Sequence, residues 1–139
     1  MEWNFGESGC PYFAMGSCIC VEAFVALATQ QLDTIVTFYE TLLGGTLRTY
    51  TPNLYAELSF PGLRLGIFQP KVENSSEFTA ASSGAMSLCL EVKDLDAAVT
   101  HLTSSGYPPP ESPKTTFHGR EIYAYDPDGN RLILHQADR

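Results

Sequence analysis

The chain has 139 residues and a formal net charge of −8, with 44% hydrophobic and 17% charged residues. This length and composition are ordinary for one globular domain with a substantial core. The negative charge disfavours nucleic acid as a partner, because phosphates would be repelled. No stretch reaches the roughly 18 apolar residues of a membrane span. The acidic start, Met1–Glu7, lacks the basic segment of a signal peptide, so a cytoplasmic location is expected.

The four cysteines are Cys10, Cys18, Cys20 and Cys89. Cys18 and Cys20 have too few residues between them for a zinc knuckle, and no histidine follows at zinc-finger spacing. In a strand these two cysteines would share one face, and Cys89 lies within an apolar run. We therefore expect free thiols in a reducing compartment rather than a disulfide framework or a zinc site.

The first half of the chain predicts one structural unit over residues 20–70. Residues 1–19, which show no clear hydrophobic period, are interpreted as an N-terminal extension. Apolar residues recur at helical spacing from Leu32 to Leu43, and Gly44-Gly45 ends the helix. The predicted strands of this unit are residues 21–28, 46–50, 54–60 and 63–69, with a Pro-Gly turn before the last. The polar residues 71–84 are interpreted as a linker.

A second unit over residues 85–139 is predicted with the same order of elements. A strand over 86–92 precedes a helix that Asp94 caps and that ends near Gly106. A proline-dense segment then leads to two or three more strands, of which the last two are joined by Asp126-Pro-Asp-Gly-Asn130. In that turn proline fixes φ, glycine supplies a positive φ, and the Asx side chains accept bonds from turn amides. This pattern predicts a hairpin.

The two units form an internal repeat. The segment FVALATQQLDTIVTFY, which begins at Phe24, matches SLCLEVKDLDAAVTHL, which begins at Ser87, at an offset of 63 residues. Likewise PGLRLGIF, from Pro61, matches DGNRLILH, from Asp128, at an offset of 67 residues. The chain is therefore expected to hold two β-α-β-β-β units in an α+β fold.

Alternation along the predicted strands separates an aliphatic face from a mixed face. The aliphatic residues, which suit packing under the helices, are Val25, Leu27, Leu65, Ile67, Leu88, Leu90, Val92, Leu132 and Leu134. The mixed face holds small, aromatic and charged residues: Phe24, Ala26, Ala28, Arg64, Gly66, Phe68, Ser87, Cys89, Glu91, Arg131, Ile133 and His135. This mixture is typical of a sheet that lines a ligand cavity. A solvent-exposed sheet face is the alternative.

The repeated units and the closing YDPDGNRLILHQ resemble the vicinal oxygen chelate (VOC) superfamily. This superfamily includes glyoxalase I, extradiol dioxygenases, and fosfomycin- and bleomycin-resistance proteins. The segment FYETLLGG at the end of the first helix supports the resemblance, which covers about residues 20–136. It implies one VOC domain over residues 20–137, in which a curved mixed sheet surrounds a cavity. Homodimers are common in the superfamily.

Metal-dependent members hold a divalent ion with His and Glu side chains on the first and fourth strands of each unit. The corresponding positions here are Phe24, Gly66, Ser87 and Ile133. None of these is a usual ligand for a divalent metal. The resemblance therefore implies the scaffold without its usual metal site, and no metal or other cofactor is expected.

Other polar residues on the mixed face leave alternatives open. Glu91 and His135, with Glu57, are candidates for a displaced metal site or an acid/base pair. His135 alone is also a candidate for a rim or dimer contact. Arg64 and Arg131 occupy equivalent positions in the repeat. Each is a candidate for a local salt bridge or for an anion clamp at the mouth of a pocket.

These features predict a protein that binds a small molecule without metal chemistry, similar in kind to the bleomycin-resistance branch. The rival hypothesis is a metal-dependent lyase or dioxygenase with a relocated metal site, so enzymatic activity stays open; a subunit with a vestigial pocket is a third possibility. The acidic balance favours a neutral or cationic ligand. The predicted ligand-cavity residues are Phe24, Arg64, Gly66, Phe68, Ser87, Glu91, Arg131, Ile133 and His135. A homodimer is expected, because a second copy would cover apolar parts of the mixed face.

Overall fold

The computed structural model describes residues 19–79 and 84–138. In chain order the elements are β1 (Val25–Ala28), α1 (Leu32–Leu43), β2 (Thr46–Thr51), β3 (Tyr55–Phe60), β4 (Leu63–Phe68), a 3-10 helix (Val72–Phe78), β5 (Leu88–Glu91), α2 (Leu95–Ser104), β6 (Lys114–Thr116), β7 (Gly119–Tyr125) and β8 (Arg131–Ala137). The 3-10 helix lies in the stretch predicted as a linker. The predicted N-terminal extension lies outside the described residues except for Ile19.

Each unit forms one four-stranded mixed sheet, with strand orders β1-β4-β3-β2 and β5-β8-β7-β6. The first strand of each unit runs parallel to the last. Val25 pairs with Leu65, and Leu88 pairs with Leu132. These two pairs are related by the same offsets of 63 and 67 residues that relate the sequences. The strand register therefore confirms the predicted repeat and the α+β fold of two β-α-β-β-β units.

The helix ends follow the predicted capping residues. Gly44 ends α1 with φ of 64°, a left-handed conformation that glycine adopts without steric cost. At the start of α2, the backbone N–H of Ala97 donates to Asp94 Oδ1 at 3.0 Å. The first strand is shorter than predicted, since pairing of β1 with β4 begins only at Val25.

The core lies between the helices and the aliphatic faces of the sheets. Leu65, Ile67, Leu132 and Leu134 are at most 1% exposed, as expected for the faces under the helices. One buried cluster contains residues of both units. Val25 is the exception to the predicted face, because it lies at the start of an edge strand and is 40% exposed.

A buried polar contact joins the first unit to the second. Tyr39, on α1, donates its phenol O–H to Asp126 Oδ2 at 2.7 Å. The Asp126 carboxylate also accepts bonds from the backbone N–H groups of Asp128 and Asn130, and so fixes the hairpin turn. Burial, and then the Asp126 charge, raises the pKa of Tyr39 far above its usual range, so its phenol remains a donor.

No helix in the part of the chain that the structure describes is both long and apolar enough to span a membrane.

Candidate functional site

The predicted cavity residues lie on the mixed faces of two separate sheets. Phe24, Arg64, Gly66 and Phe68 belong to the first unit, and Ser87, Glu91, Arg131, Ile133 and His135 belong to the second. A cleft of about 240 Å³ between β1, the 3-10 helix and the Asp126–Asn130 turn contains none of these nine residues. The mixed faces are open in the single chain, where Phe24 is 51% exposed. An enclosed ligand cavity therefore stays a prediction.

Arg64 is the centre of the charged group on the first mixed face. Its guanidinium carbon lies 4.7 Å from the centroid of the Phe24 ring, within the range of a cation–π contact. Arg64 also forms an ion pair with Glu22, and its Nε lies 3.1 Å from Glu57 Oε1. That Nε is buried but is not aligned for a hydrogen bond. Arg64 was a candidate for a local salt bridge or for an anion clamp, and in the structure it forms local ion pairs.

Gly66 lets two aromatic side chains come close to β4. A Cβ atom at this position would lie 3.0 Å from Tyr55 Oη and 3.5 Å from the Phe24 ring. Because Gly66 has no side chain, the Tyr55 and Phe24 rings cover part of the sheet that a larger residue would fill. The first mixed face therefore has two aromatic rings packed over the backbone of Gly66.

Arg131 occupies the equivalent position in the second unit but has different partners. Its Nε donates to Ser87 Oγ at 2.6 Å, and its Nη2 donates to the carbonyl oxygen of Gly84 at 2.7 Å. Within residues 19–79 and 84–138, no carboxylate forms an ion pair with Arg131. Both arginines thus contact the repeat-equivalent positions Phe24 and Ser87, but only Arg64 has its charge compensated.

Glu91 and His135 form a pair at the other end of the second mixed face. His135 Nδ1 lies 2.7 Å from Glu91 Oε2 and 3.0 Å from Oε1. The backbone N–H of Ala137 donates to Glu91 Oε1 at 2.9 Å and so fixes the carboxylate. A carboxylate held in this way orients an imidazole, which is the arrangement an acid/base pair needs.

The residues present do not fit the divalent metal of the metal-dependent family members. The four positions that the resemblance implies for the metal ligands carry Phe24, Gly66, Ser87 and Ile133, and these side chains supply neither imidazole nor carboxylate. No group of three or more His, Cys, Asp or Glu residues in the described parts of the chain is placed to hold a metal ion. In addition, Arg131, which has no ion-pair partner among the described residues, would repel a cation at the positions of the second unit.

Sequence reasoning missed several residues of the mixed faces. Tyr55 pairs with Phe68, and Tyr123 pairs with Ile133, so both tyrosines share the faces of the predicted residues. Alternation within β3 and β7 was the signal that could have identified them. Cys20 and Cys89 are free and exposed, whereas Cys10 and Cys18 lie outside the described residues.

Two β-α-β-β-β units with parallel first and last strands define a recognisable class of α+β protein. The family model of the Glyoxalase/Bleomycin resistance protein/Dioxygenase superfamily matches residues 23–134. The chain belongs to this superfamily. A comparison of the sequence with curated proteins finds no significant match.

Solved structures share the fold at low sequence identity. A hypothetical protein from S. aureus is 15% identical, with a TM-score of 0.73 over 91% of this chain and 98% of its own. The fosfomycin resistance protein FosX from Listeria monocytogenes is 17% identical, with a TM-score of 0.67 over 88% of this chain and 94% of its own. A bleomycin resistance determinant encoded on the transposon Tn5 is 22% identical, with a TM-score of 0.60 over 86% of this chain and all (100%) of its own. At these identities the likeness establishes the fold alone.

Proposed function

We propose that this protein binds a small organic molecule on the mixed faces of its sheets without a divalent metal. The observation that carries the proposal is the exposure of aromatic side chains there, where Phe24 is 51% and Tyr123 48% exposed. Exposed aromatic surface beside a few fixed polar groups is the composition of a ligand site. Burying it against a ligand is favourable by about 25 cal/mol per Å² of apolar area.

Recognition of this kind needs no metal chemistry. The first face offers aromatic rings around Gly66 and an arginine whose charge is neutralised by Glu22 and Glu57. The second face offers Arg131 and the Glu91–His135 pair. Apolar contact supplies the favourable free energy, and the fixed polar groups select the orientation of the ligand.

A second copy of the chain is part of the proposal. Phe24, Phe68 and Ile133 are accessible in the single chain, and a two-fold partner would cover them and enclose the ligand. Arg64 and His135 would then lie near the interface. Light scattering at micromolar concentration should give twice the 15.2 kDa mass of the chain. A cytoplasmic location is also proposed, and the free thiols Cys20 and Cys89 support it.

Isothermal titration calorimetry tests the binding. The purified protein should be titrated with a cationic glycopeptide and with a panel of aromatic metabolites. Phe68→Glu should weaken the binding of any ligand found by about tenfold or more, because it places a charge among apolar contacts. Phe117→Glu is the matched control, since Phe117 is 89% exposed in the turn between β6 and β7. The proposal fails if no compound binds, or if both variants weaken binding equally.

The Glu91–His135 pair favours a second candidate, a lyase-like or dioxygenase-like enzyme with a relocated metal. Elemental analysis separates the two candidates. We expect substoichiometric zinc, nickel, iron and manganese in the purified protein. Stoichiometric metal that is lost in both Glu91→Ala and His135→Ala would overturn the metal-free proposal in favour of the enzyme.

A further inference from the structure

The repeat provides an internal reference for the charge on Arg131. Arg64 pairs with Glu22 and Glu57 and stacks on Phe24. Arg131 is bound only by neutral acceptors, Ser87 Oγ and the carbonyl oxygen of Gly84, among the described residues. Arg131 is half-buried, so water compensates its charge less completely than it would at the surface. This position suits a negatively charged ligand group.

Two hydrogen-bond donors remain available at this end of the second face. Ser87 Oγ accepts from Arg131 Nε, so its own hydroxyl hydrogen is free to donate. Arg131 Nη1 forms no hydrogen bond within the described parts of the chain. Arg131 Nη1 and the neighbouring Ser87 hydroxyl are together suited to bind a carboxylate, because each can donate to one of its oxygens and the bond from the guanidinium is charge-assisted.

We propose that Arg131 and Ser87 bind the carboxylate of a ligand that has an apolar body. This inference rests on the proposed small-molecule binding and names the class of ligand. The apolar body would lie over Ile133, which is two residues from Arg131 on the same face of β8 and is paired with Tyr123 on β7 and Cys89 on β5. Two residues of strand span about 7 Å, which is the length of a phenyl ring with a short side chain.

The far end of the same face differs in charge. His135 pairs in register with Glu91 on one side and Glu121 on the other. These carboxylates lie four residues along the sheet from Arg131, a distance of about 13 Å. That exceeds the Debye length of about 8 Å at physiological ionic strength, so solvent largely screens the charges of Glu91 and Glu121 from Arg131. The ligand class therefore differs from the neutral or cationic one that the net charge alone favours.

Three compounds with one aromatic body test this inference: phenylacetate, phenylacetamide and phenethylamine. Binding to the full chain at neutral pH would be followed by chemical-shift titration of the backbone amides and of the Ile133 methyl groups. Phenylacetate should bind about tenfold more tightly than phenylacetamide, the difference that a charge-assisted hydrogen bond gives. Phenethylamine should bind most weakly of the three. The shifts should centre on Arg131, Ser87 and Ile133.

Two substitutions of Arg131 and one control sharpen the test. Arg131→Gln should reduce the preference for phenylacetate over phenylacetamide to about one. Arg131→Lys, which keeps the charge without the planar fork, should retain part of it. Arg120→Gln removes an equal charge on the opposite side of the sheet, where Arg120 pairs with Asp96, and should leave the preference unchanged.

The possible failures are distinguishable from those of the proposed function. If phenylacetamide or phenethylamine shifts Ile133 and Tyr123 as strongly as phenylacetate does, the carboxylate inference is overturned while small-molecule binding stands. If phenylacetate binds but its preference survives in Arg131→Gln, the carboxylate is held elsewhere and the inference is wrong. If phenylacetate does not bind at all, the inference is also overturned, and the proposed function is then decided by the wider panel.

Discussion

The two units of the chain share one backbone and differ in nearly every polar contact. Their first and last strands pair in equivalent registers, Val25 with Leu65 and Leu88 with Leu132. On the mixed face, however, the pair Phe24–Arg64 of the first unit corresponds to Ser87–Arg131 of the second. The aliphatic face has to fit the helices, whereas the mixed face is free to change. The comparison shows that the repeat preserves packing and leaves the chemistry of each half to diverge.

The hairpin turns differ in the same way. In the first unit Phe60 pairs with Leu63 around a two-residue turn, and its ring fills the space that Gly45 leaves. In the second unit Asp126 takes the place of Phe60 and binds the turn amides and Tyr39. The first turn is thus held by apolar packing and the second by a buried polar network. Through Tyr39, that network connects the first unit to the second.

The largest expected effect tests the equivalence of the two units within their shared core. Leu65 and Leu132 occupy equivalent positions and are 1% and 0% exposed. Leu65→Ala and Leu132→Ala should each lower the free energy of unfolding by about 2–5 kcal/mol, because each removes buried methyl groups and leaves a cavity. Urea denaturation followed by circular dichroism measures both.

The matched control for the core variants is Val72→Ala, since Val72 is 90% exposed and its truncation should change stability by no more than about 0.5 kcal/mol. If only one of the two leucine variants lowered the free energy of unfolding by less than about 1 kcal/mol, the two positions would not be equivalent.

A smaller effect tests the polar network that is present in only one turn. Tyr39→Phe removes the phenol that donates to Asp126, and both residues are at most 3% exposed. The free energy of unfolding should fall by about 1–3 kcal/mol, because the variant leaves the buried carboxylate without this hydrogen bond and water cannot replace it. Tyr123→Phe, at a tyrosine 48% exposed, should change the urea midpoint little. Equal effects of the two variants would contradict a special role for Tyr39.

Most of the fold was predictable from the sequence because its signals are local. The alternation of strands, the helical spacing from Leu32 to Leu43 and the cap at Asp94 each depend on residues within one element. The offsets of the repeat also agree with the observed pairing of the parallel strands, since equivalent residues pair equivalently. The predicted start of β1 was wrong, because the length of an edge strand depends on its partner strand as well as on its own sequence.

The candidate site was less predictable because its contacts join distant parts of the chain. Tyr39 and Asp126 are 87 residues apart, and Tyr39 reads as an ordinary apolar position of α1. The equivalence of Arg64 and Arg131 was visible in the sequence, but their different partners were not. Glu22 falls within the predicted strand 21–28 but lies before the observed β1, and Gly84 lies before β5, so the pairing of the observed strands fixes neither contact. Side-chain partners of this kind follow from the folded geometry alone.

The smallest expected effect concerns Asp33 and Asp96, which are equivalent residues in the first turns of α1 and α2. Asp96 Oδ1 and Oδ2 accept bonds from Arg120 at 3.0 and 3.1 Å, whereas Asp33 accepts from the Tyr50 phenol. Hydrogen bonding to Arg120, and then its charge, holds the pKa of Asp96 below its usual range. Hydrogen bonding to Asp33 raises the pKa of Tyr50 above its usual range. The two equivalent carboxylates therefore connect each helix to its sheet, and the contributions of the two pairs to stability change with pH in opposite directions.

The direction of each effect follows from linkage between proton binding and folding. Because Asp96 has a lowered pKa in the fold, its contribution is present above the usual carboxyl pKa of about 4 and is lost as the pH falls through the lowered value. Because Tyr50 has a raised pKa, its contribution is present below about pH 10 and is lost as the pH rises through the raised value. Both pairs are at the surface, so solvent screens them and the effects are small.

The difference in urea midpoint between wild type and Asp96→Asn should shrink towards zero in acid, and the difference between wild type and Tyr50→Phe should shrink in alkali. If both differences vanished at the same end of the pH range, the two aspartates would not have the different partners described above.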